Sequence, residues 1–411
     1  MLADISTHEV HRGWSPAHGK PYNCAFIIGA LPVRDSSAFH MRNPFFSLLS
    51  LSCLALLSGC GGSGPIPIVS DIQAANSGTP GALLTYGQPV QFSISGSFLD
   101  AGLGVEASGC TGLASVGVIS GTAATWRCTA DAVGSGAVSV KVTTGTGAVL
   151  LAKAFDTAPP AAPVVLSIKA DNLMYSKTTQ LTMTGYSLEK EFNVSVQYCK
   201  GLALVSGGSS TSKSVTCKVA AAGVGAIKFE AKLTDGTPLM VRSFDVPNPQ
   251  VTMVTSLGTL ALELNPTAAP LSTDNFLQYV NDKFYDNTLI HRIVKSGIFV
   301  AQGGWLTPTP AIQAGQRAAI ALEVGKGLSN VKGTVAMACT ADLNSATSQF
   351  FFNLSDNTAL DTASGGYAVF GKVVSGTEVL DAMSSTPTST QYGLADFPSQ
   401  NLLVQSVSQS K

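Results

Sequence analysis

The stretch LIHRIVKSGIFVAQGG, Leu289 to Gly304, decides how the C-terminal part of this chain folds. Leu289, Ile290, Ile293 and Val294 are residue types that favour half-buried strands, yet Arg292 stands among them. A guanidinium keeps its charge at any accessible pH. On an apolar strand it must snorkel to water, pair with an acid, or face a cleft where a ligand meets it.

The surrounding composition narrows the choice. A chain of 411 residues favours about two or three domains, and 45% hydrophobic residues supply real cores. Charged residues make up only 12% and the net charge is −1, so there is no broad electrostatic footprint for nucleic acid or an anionic membrane surface. The 41 glycines, with many Val, Thr and Ser, read as mainly β structure with tight turns.

The N-terminal region carries an address. After Met41 and Arg42 comes an apolar run, Phe45 to Leu57, of signal-peptide rather than membrane-spanning length. It ends in Leu57-Ser58-Gly59-Cys60, which resembles the bacterial lipobox. That resemblance implies a signal over 41–59, a lipid on Cys60, and, with Gly61 rather than an acid next, sorting to the outer membrane on its periplasmic side. Residues 1–40 have no place ahead of such a signal and are expected to precede the true start or to be a disordered extension. A flexible tether over 60–73 follows from GGSGP.

In that oxidising compartment the eight cysteines sort themselves. Cys24, Cys53 and Cys60 fall in the leader region. Cys110 and Cys128 are 18 apart, as are Cys199 and Cys217, and the second pair follows the first by 89, from 110 to 199. Tyr86 and Tyr175, Gly96 and Gly185, Gly147 and Gly236, Asp156 and Asp245, and Pro160 and Pro249 keep the same offset. This is an internal repeat. QFSISGSF and QLTMTGYS alternate with period two. Two modules, 74–162 and 163–249, each closed by a disulfide, look like tandem immunoglobulin-like sandwiches. TAPPAAP and VPNPQ mark their ends. Their binding partner is unknown from sequence.

Neither module holds a catalytic cluster. The five histidines are His8, His11, His18, His40 and His291, so a mature chain keeps one, which rules against a histidine-rich metal site. There is no G-x-S-x-G elbow. GYAVFGKV nearly spells a phosphate loop but has Val373 where a hydroxyl must hold magnesium. No metal or cofactor is expected.

Residues 250–411 remain. QVTMVTSLGTLALELN reads as a hairpin, and PLSTDNFLQYVND as a helix capped by Ser272 or Thr273. The ordered set FYDNTLIHRIVKSGIFVAQGG, GTVAMACTADLNSATSQFFFNL and YAVFGKVVSGTEVLDAM resembles the cyclophilin family of peptidyl-prolyl cis-trans isomerases, in particular its bacterial periplasmic branch. The resemblance implies a closed eight-stranded antiparallel barrel with helices over 271–281 and 377–384, and an active groove on its outer face. It implies Arg292 as the catalytic group, a proline seat of Phe299, Phe351 and Leu360 with Val300 at the rim, Gln302 orienting the arginine, and Gln349 and the Ala338 backbone against the substrate chain. Tyr367 stands where His is common, Cys339 where Arg or Asn is frequent, and Ala359 where an aromatic closes the groove. Two extra residues lie between Arg292 and Phe299, so a bulged loop is expected there. His291 reads as a structural histidine. The expected substrates are proline-containing polypeptides, exported proteins above all. The alternative is a non-catalytic or weakly catalytic protein that holds proline loops as a scaffold, for which Ala359 and the altered loop speak.

Overall fold

A computed structural model describes residues 64–411 except 77–78 and 81–82. The apolar run Phe45–Leu57, the expected lipidation site Cys60 and the segment 1–40 lie outside the described residues. The described chain forms two β modules followed by a barrel.

Each module packs two sheets face to face. In the first, strands Ile68–Asn76, Pro89–Ser97, Ala123–Ala130 and Cys110–Ser115 form one sheet, extended by Thr79–Pro80. Leu84–Thr85, Val149–Ala158, Gly134–Thr144 and Leu103–Ser108 form the other. Alternation sends Phe92, Ile94, Trp126, Val138 and Val140 into one core. In the second module the equivalents Thr178–Tyr186, Ser212–Val219, Gly223–Lys232 and Pro238–Val246 recur at the same offset. A regular strand begins at Ile68, inside the stretch expected to be tether, because Ile72 and Ala74 alternate into the core and the strand pairs with Pro89–Ser97.

The repeated residues have physical reasons. A Cβ on Gly96 would stand 1.9 Å from the Ile68 carbonyl oxygen, and one on Gly185 1.9 Å from that of Val164, so only glycine lets the first strand close over the sheet. Asp156 accepts the Gly136 N–H at 2.8 Å and Asp245 the Gly225 N–H at 2.7 Å. Cys110–Cys128 and Cys199–Cys217 are disulfides, and Cys339 is free. Each bridge ties an edge strand to its neighbour within one sheet, unlike the inter-sheet bridge of antibody domains.

The repeated tyrosines reach out of their modules. Tyr86 packs on Tyr186 of the second module with ring centroids 4.7 Å apart. Tyr175, buried, donates from its hydroxyl to Asp274 Oδ1 of the barrel domain at 2.7 Å, while Gln409 donates to the Tyr175 carbonyl at 2.9 Å. The second module and the barrel share a continuous apolar cluster.

In the barrel, β1 (Gln250–Thr255), β2 (Gly258–Leu264), β3 (Thr288–Ser296), β4 (Ile298–Gly303), β5 (Thr334–Met337), β6 (Phe350–Asn353) and β7 (Val369–Ser375) are followed by the hairpin β8 (Thr388–Gln391) and β9 (Leu394–Pro398) and by β10 (Leu402–Gln409). The closed order is β1-β2-β7-β5-β6-β4-β3-β10. Leu260, Leu262, Ile293, Ala301, Val335, Phe350, Phe352 and Phe370 fill the core, all fully buried. Helix α1 (Pro270–Asn281) presses Phe276 edge-on against Phe350, 5.5 Å between centroids, and α2 (Thr377–Ser385) buries Val379, Leu380 and Met383.

The expected cap on α1 is replaced. Ser272 and Thr273 lie inside the first turn, which begins with Pro270 after Ala269. The Glu323 carboxylate, arriving from a distant loop, accepts the amides of Leu271 at 2.9 Å and Ser272 at 2.7 Å and the Ser272 hydroxyl at 2.8 Å. A tertiary carboxylate thus does what a local side chain usually does, with the helix dipole in its favour.

Candidate active site

The answer to Arg292 lies in the register of β3 and β4. Arg292 pairs with Gln302, Val294 with Val300, and Ser296 with Ile298. One face of the hairpin therefore carries Arg292, Val294, Val300 and Gln302, and the other Ile293 and Ala301, which go into the barrel. Arg292 projects outward with its side chain 45% exposed. The two extra residues do not bulge the connection. They lengthen the hairpin, which turns at Gly297 with φ 75, and the register shift lies between Ile290 and Arg292 instead.

Three polar side chains line up on this face. Arg292 Nη1 donates to Gln302 Oε1 at 3.5 Å, and Gln302 Nε2 donates to Gln349 Oε1 at 2.8 Å. The glutamine amide thereby faces its oxygen to the guanidinium. Arg292 Nε also lies 3.8 Å from Asp396 Oδ2 on β9.

Beside them is an apolar seat. Val294, Val300, Ala336, Phe351, Leu360 and Val369 form a cluster separate from the barrel core, with Ala338 and Tyr367 packed against it. The Tyr367 ring meets Phe351 edge-on at 5.7 Å. The run Phe350-Phe351-Phe352 divides by pleat, its outer two rings inward and Phe351 to the seat. Phe299, expected in the seat, is placed elsewhere: it pairs with Lys295 and shares the face of Ala301, leaving it 39% exposed. The register sets that parity, with Val300 on the seat side opposite Val294. Ala359 is exposed on the 3-10 turn Thr358–Asp361, next to Leu360, so no ring closes the seat there. The Ala338 N–H is taken by the Gln349 carbonyl at 3.0 Å.

Buried amides hold the frame. Asn357 Nδ2 donates to the Phe299 carbonyl at 2.8 Å and to Asn353 Oδ1 at 2.9 Å, Asn353 Nδ2 to Asn330 Oδ1 at 3.0 Å, and Asn330 Nδ2 to Asp361 Oδ1 at 2.9 Å. Such a satisfied network rigidifies the turn that carries Leu360. Neither this ladder nor Asp396 emerged from the sequence reading, although the repeated asparagines between 330 and 357 were a signal.

The titrating groups stand aside from the chemistry. His291 is 3% exposed, its ring 5.3 Å from Trp305, and burial brings its pKa down to about 4 despite the Leu289 carbonyl, with the Arg292 charge adding to the fall. It is therefore neutral near pH 7. Burial pushes the Cys339 thiol up, away from nucleophilic character. Among the described residues no group of three or more His, Cys, Asp or Glu side chains is placed to hold a metal ion.

The barrel thus carries an arginine, two glutamines and an apolar seat together on its outer face. Residues 250–409 match the family model described as cyclophilin type peptidyl-prolyl cis-trans isomerase/CLD. A peptidyl-prolyl cis-trans isomerase of Acinetobacter baylyi is 41% identical over 172 residues, 41% of this chain and 89% of that protein. Isomerase A of Dickeya dadantii is 40% identical over 158 residues, 38% and 82% of the two chains. An isomerase of Streptomyces antibioticus is 43% identical over 161 residues, 38% and 95%. The chain belongs to the cyclophilin-type peptidyl-prolyl cis-trans isomerases.

Proposed function

We propose that the barrel turns X-Pro bonds in exported polypeptides and that Arg292 supplies the chemistry. An X-Pro bond isomerises slowly because amide resonance sets a barrier of ~18–20 kcal/mol. In the twisted transition state the prolyl nitrogen regains its lone pair, and a fixed donor aimed at it stabilises that state over either planar one. Arg292 does this without titrating, Gln302 holds one side of the guanidinium, and Gln349 and the Ala338 carbonyl take the substrate backbone. The proline ring sits on Phe351, Leu360 and Val300, with Tyr367 at the edge. No proton is transferred, in keeping with a neutral, buried His291.

The observation that carries this reading is the Arg292–Gln302–Gln349 chain running beside a separate apolar cluster. The exposed Ala359 favours a second reading, in which the open seat binds proline loops with little turnover.

The setting is the cell envelope. The lipobox-like Leu57-Ser58-Gly59-Cys60 supports a lipid anchor on Cys60 in the outer membrane, and the two disulfides fit an oxidising compartment. The modules at 74–162 and 163–249 act as immunoglobulin-like spacers between anchor and groove. Expression of the wild type and a Cys60→Ser variant with a fatty-acid analogue tests the anchor. Label and membrane attachment should both vanish in the variant, and unchanged attachment refutes it. Acceleration of a proline-limited refolding reaction by the full soluble chain tests the client class, and no acceleration at equimolar chain favours the scaffold reading.

A further inference from the structure

Asp396 is held in a backbone form that few residues adopt. The hairpin β8–β9 pairs Ser389 with Phe397 and Gln391 with Leu394, so its second strand carries one residue too many between them, at Ala395–Asp396. Asp396 takes φ 58, a left-handed conformation that aspartate tolerates better than most residues but at some cost. Bulges of this kind re-aim a side chain and gather near active sites. The neighbours fix it in place: Phe397 is 1% exposed and packs with Leu289, three residues before Arg292 on β3. The bulge delivers the Asp396 carboxylate 3.8 Å from Arg292 Nε, beside a cleft of about 240 Å³ lined by Arg292, Gln302, Trp305, Gln349 and Ala395.

We infer that Asp396 is a positioning residue for isomerisation, holding the Nε edge of Arg292 while Gln302 holds Nη1, so that the remaining guanidinium N–H groups face the groove. This rests on the reading of Arg292 as the catalytic donor. The hydrogen-bonding Gln302 and the ion-pairing Asp396 come from different elements, and together they restrain a group that one contact leaves free to swing. A misaimed donor loses transition-state binding more than ground-state binding, so the effect belongs in kcat.

The test compares full soluble chains. Asp396→Gly removes the carboxylate and relieves the left-handed backbone, so strain does not confound it. Its kcat should fall roughly fivefold to tenfold with KM unchanged, its melting temperature should hold, and the Arg292 Nε–H signal in nitrogen NMR should broaden. Asp396→Asn, which keeps an acceptor and tolerates the same backbone, should restore most of the loss and the sharp signal. Asp396→Gly on an Arg292→Ala background should add nothing. Unchanged kcat and an unchanged Nε–H signal in Asp396→Gly, while Arg292→Ala is inactive, overturn the inference alone. Full activity in Arg292→Ala overturns the reading beneath it.

Discussion

Phe350 and Phe351 are neighbours in sequence and opposites in role, and truncating each to alanine separates barrel from seat. Phe350 is fully buried and meets Phe276, Tyr285 and Phe352 edge-on at 5.5, 5.3 and 5.5 Å. Its truncation leaves a sealed cavity and should cost about 3–5 kcal/mol, with the lost ring pairs favouring the upper end. At about 2–4 °C per kcal/mol for a domain of this size, melting should fall by roughly 10 °C. Phe351 is 5% exposed, pairs with the Tyr367 ring, and belongs to the separate outer-face cluster. Its truncation should cost nearer to about 3 kcal/mol of stability, the lower end of that range. It also removes one wall of the proposed proline seat, worth about 1.5–2 kcal/mol of ring burial, so kcat/KM should drop about 12- to 27-fold, mostly through KM. Thermal melting and a protease-coupled assay on a short X-Pro peptide read both quantities on the same samples. Equal stability losses in the two variants, with near-normal turnover in Phe351→Ala, refute the assignment of faces.

His291 makes the barrel acid-sensitive: its folded pKa of about 4 lies below the ordinary 6.5, so its contribution is fully present above 6.5 and is lost as pH falls toward 4, at up to about 1.4 kcal/mol per pH unit. Denaturant unfolding at pH 8, 6 and 4.5 should show a plateau and then a decline. A curve still flat down to pH 4.5 contradicts the buried neutral imidazole. Tyr175→Phe removes the donor to Asp274 and should lower full-chain stability by about 1–3 kcal/mol, with faster proteolysis in the 246–250 connection. Unaltered cleavage and melting speak against a docked second module.

Much of this was legible beforehand because its signals are local. The repeat offset, period-two alternation and paired cysteines survive in any one-dimensional reading, and Arg292 betrays itself as a charge on an apolar strand. What was not legible depends on pairing. Phe299 stands on the opposite face from Val300 because side-chain direction in a strand flips with every residue, and which of the two adjacent residues faces the seat depends on pairing with Val294 and Lys295. The α1 cap went to Glu323, 51 residues from Ser272, a contact no local capping rule contains. Asp396 meets Arg292 only through a bulge in a hairpin 100 residues downstream, and Ile68–Asn76 was obscured by the glycines and prolines just before it.

On the proposed reading, Arg292 catalyses rotation about the prolyl bond from a preformed outer-face site. Magnetisation-exchange NMR of a short X-Pro peptide with catalytic amounts of the full soluble chain measures that rotation directly, without a coupling protease. The wild type should produce rapid cis-trans exchange. Arg292→Ala, whose exposed side chain contributes little to folding, should keep the same melting temperature and lose at least about 100-fold of the exchange rate, in the range of a lost electrostatic donor. Exchange in Arg292→Ala within a few-fold of the wild type contradicts the account.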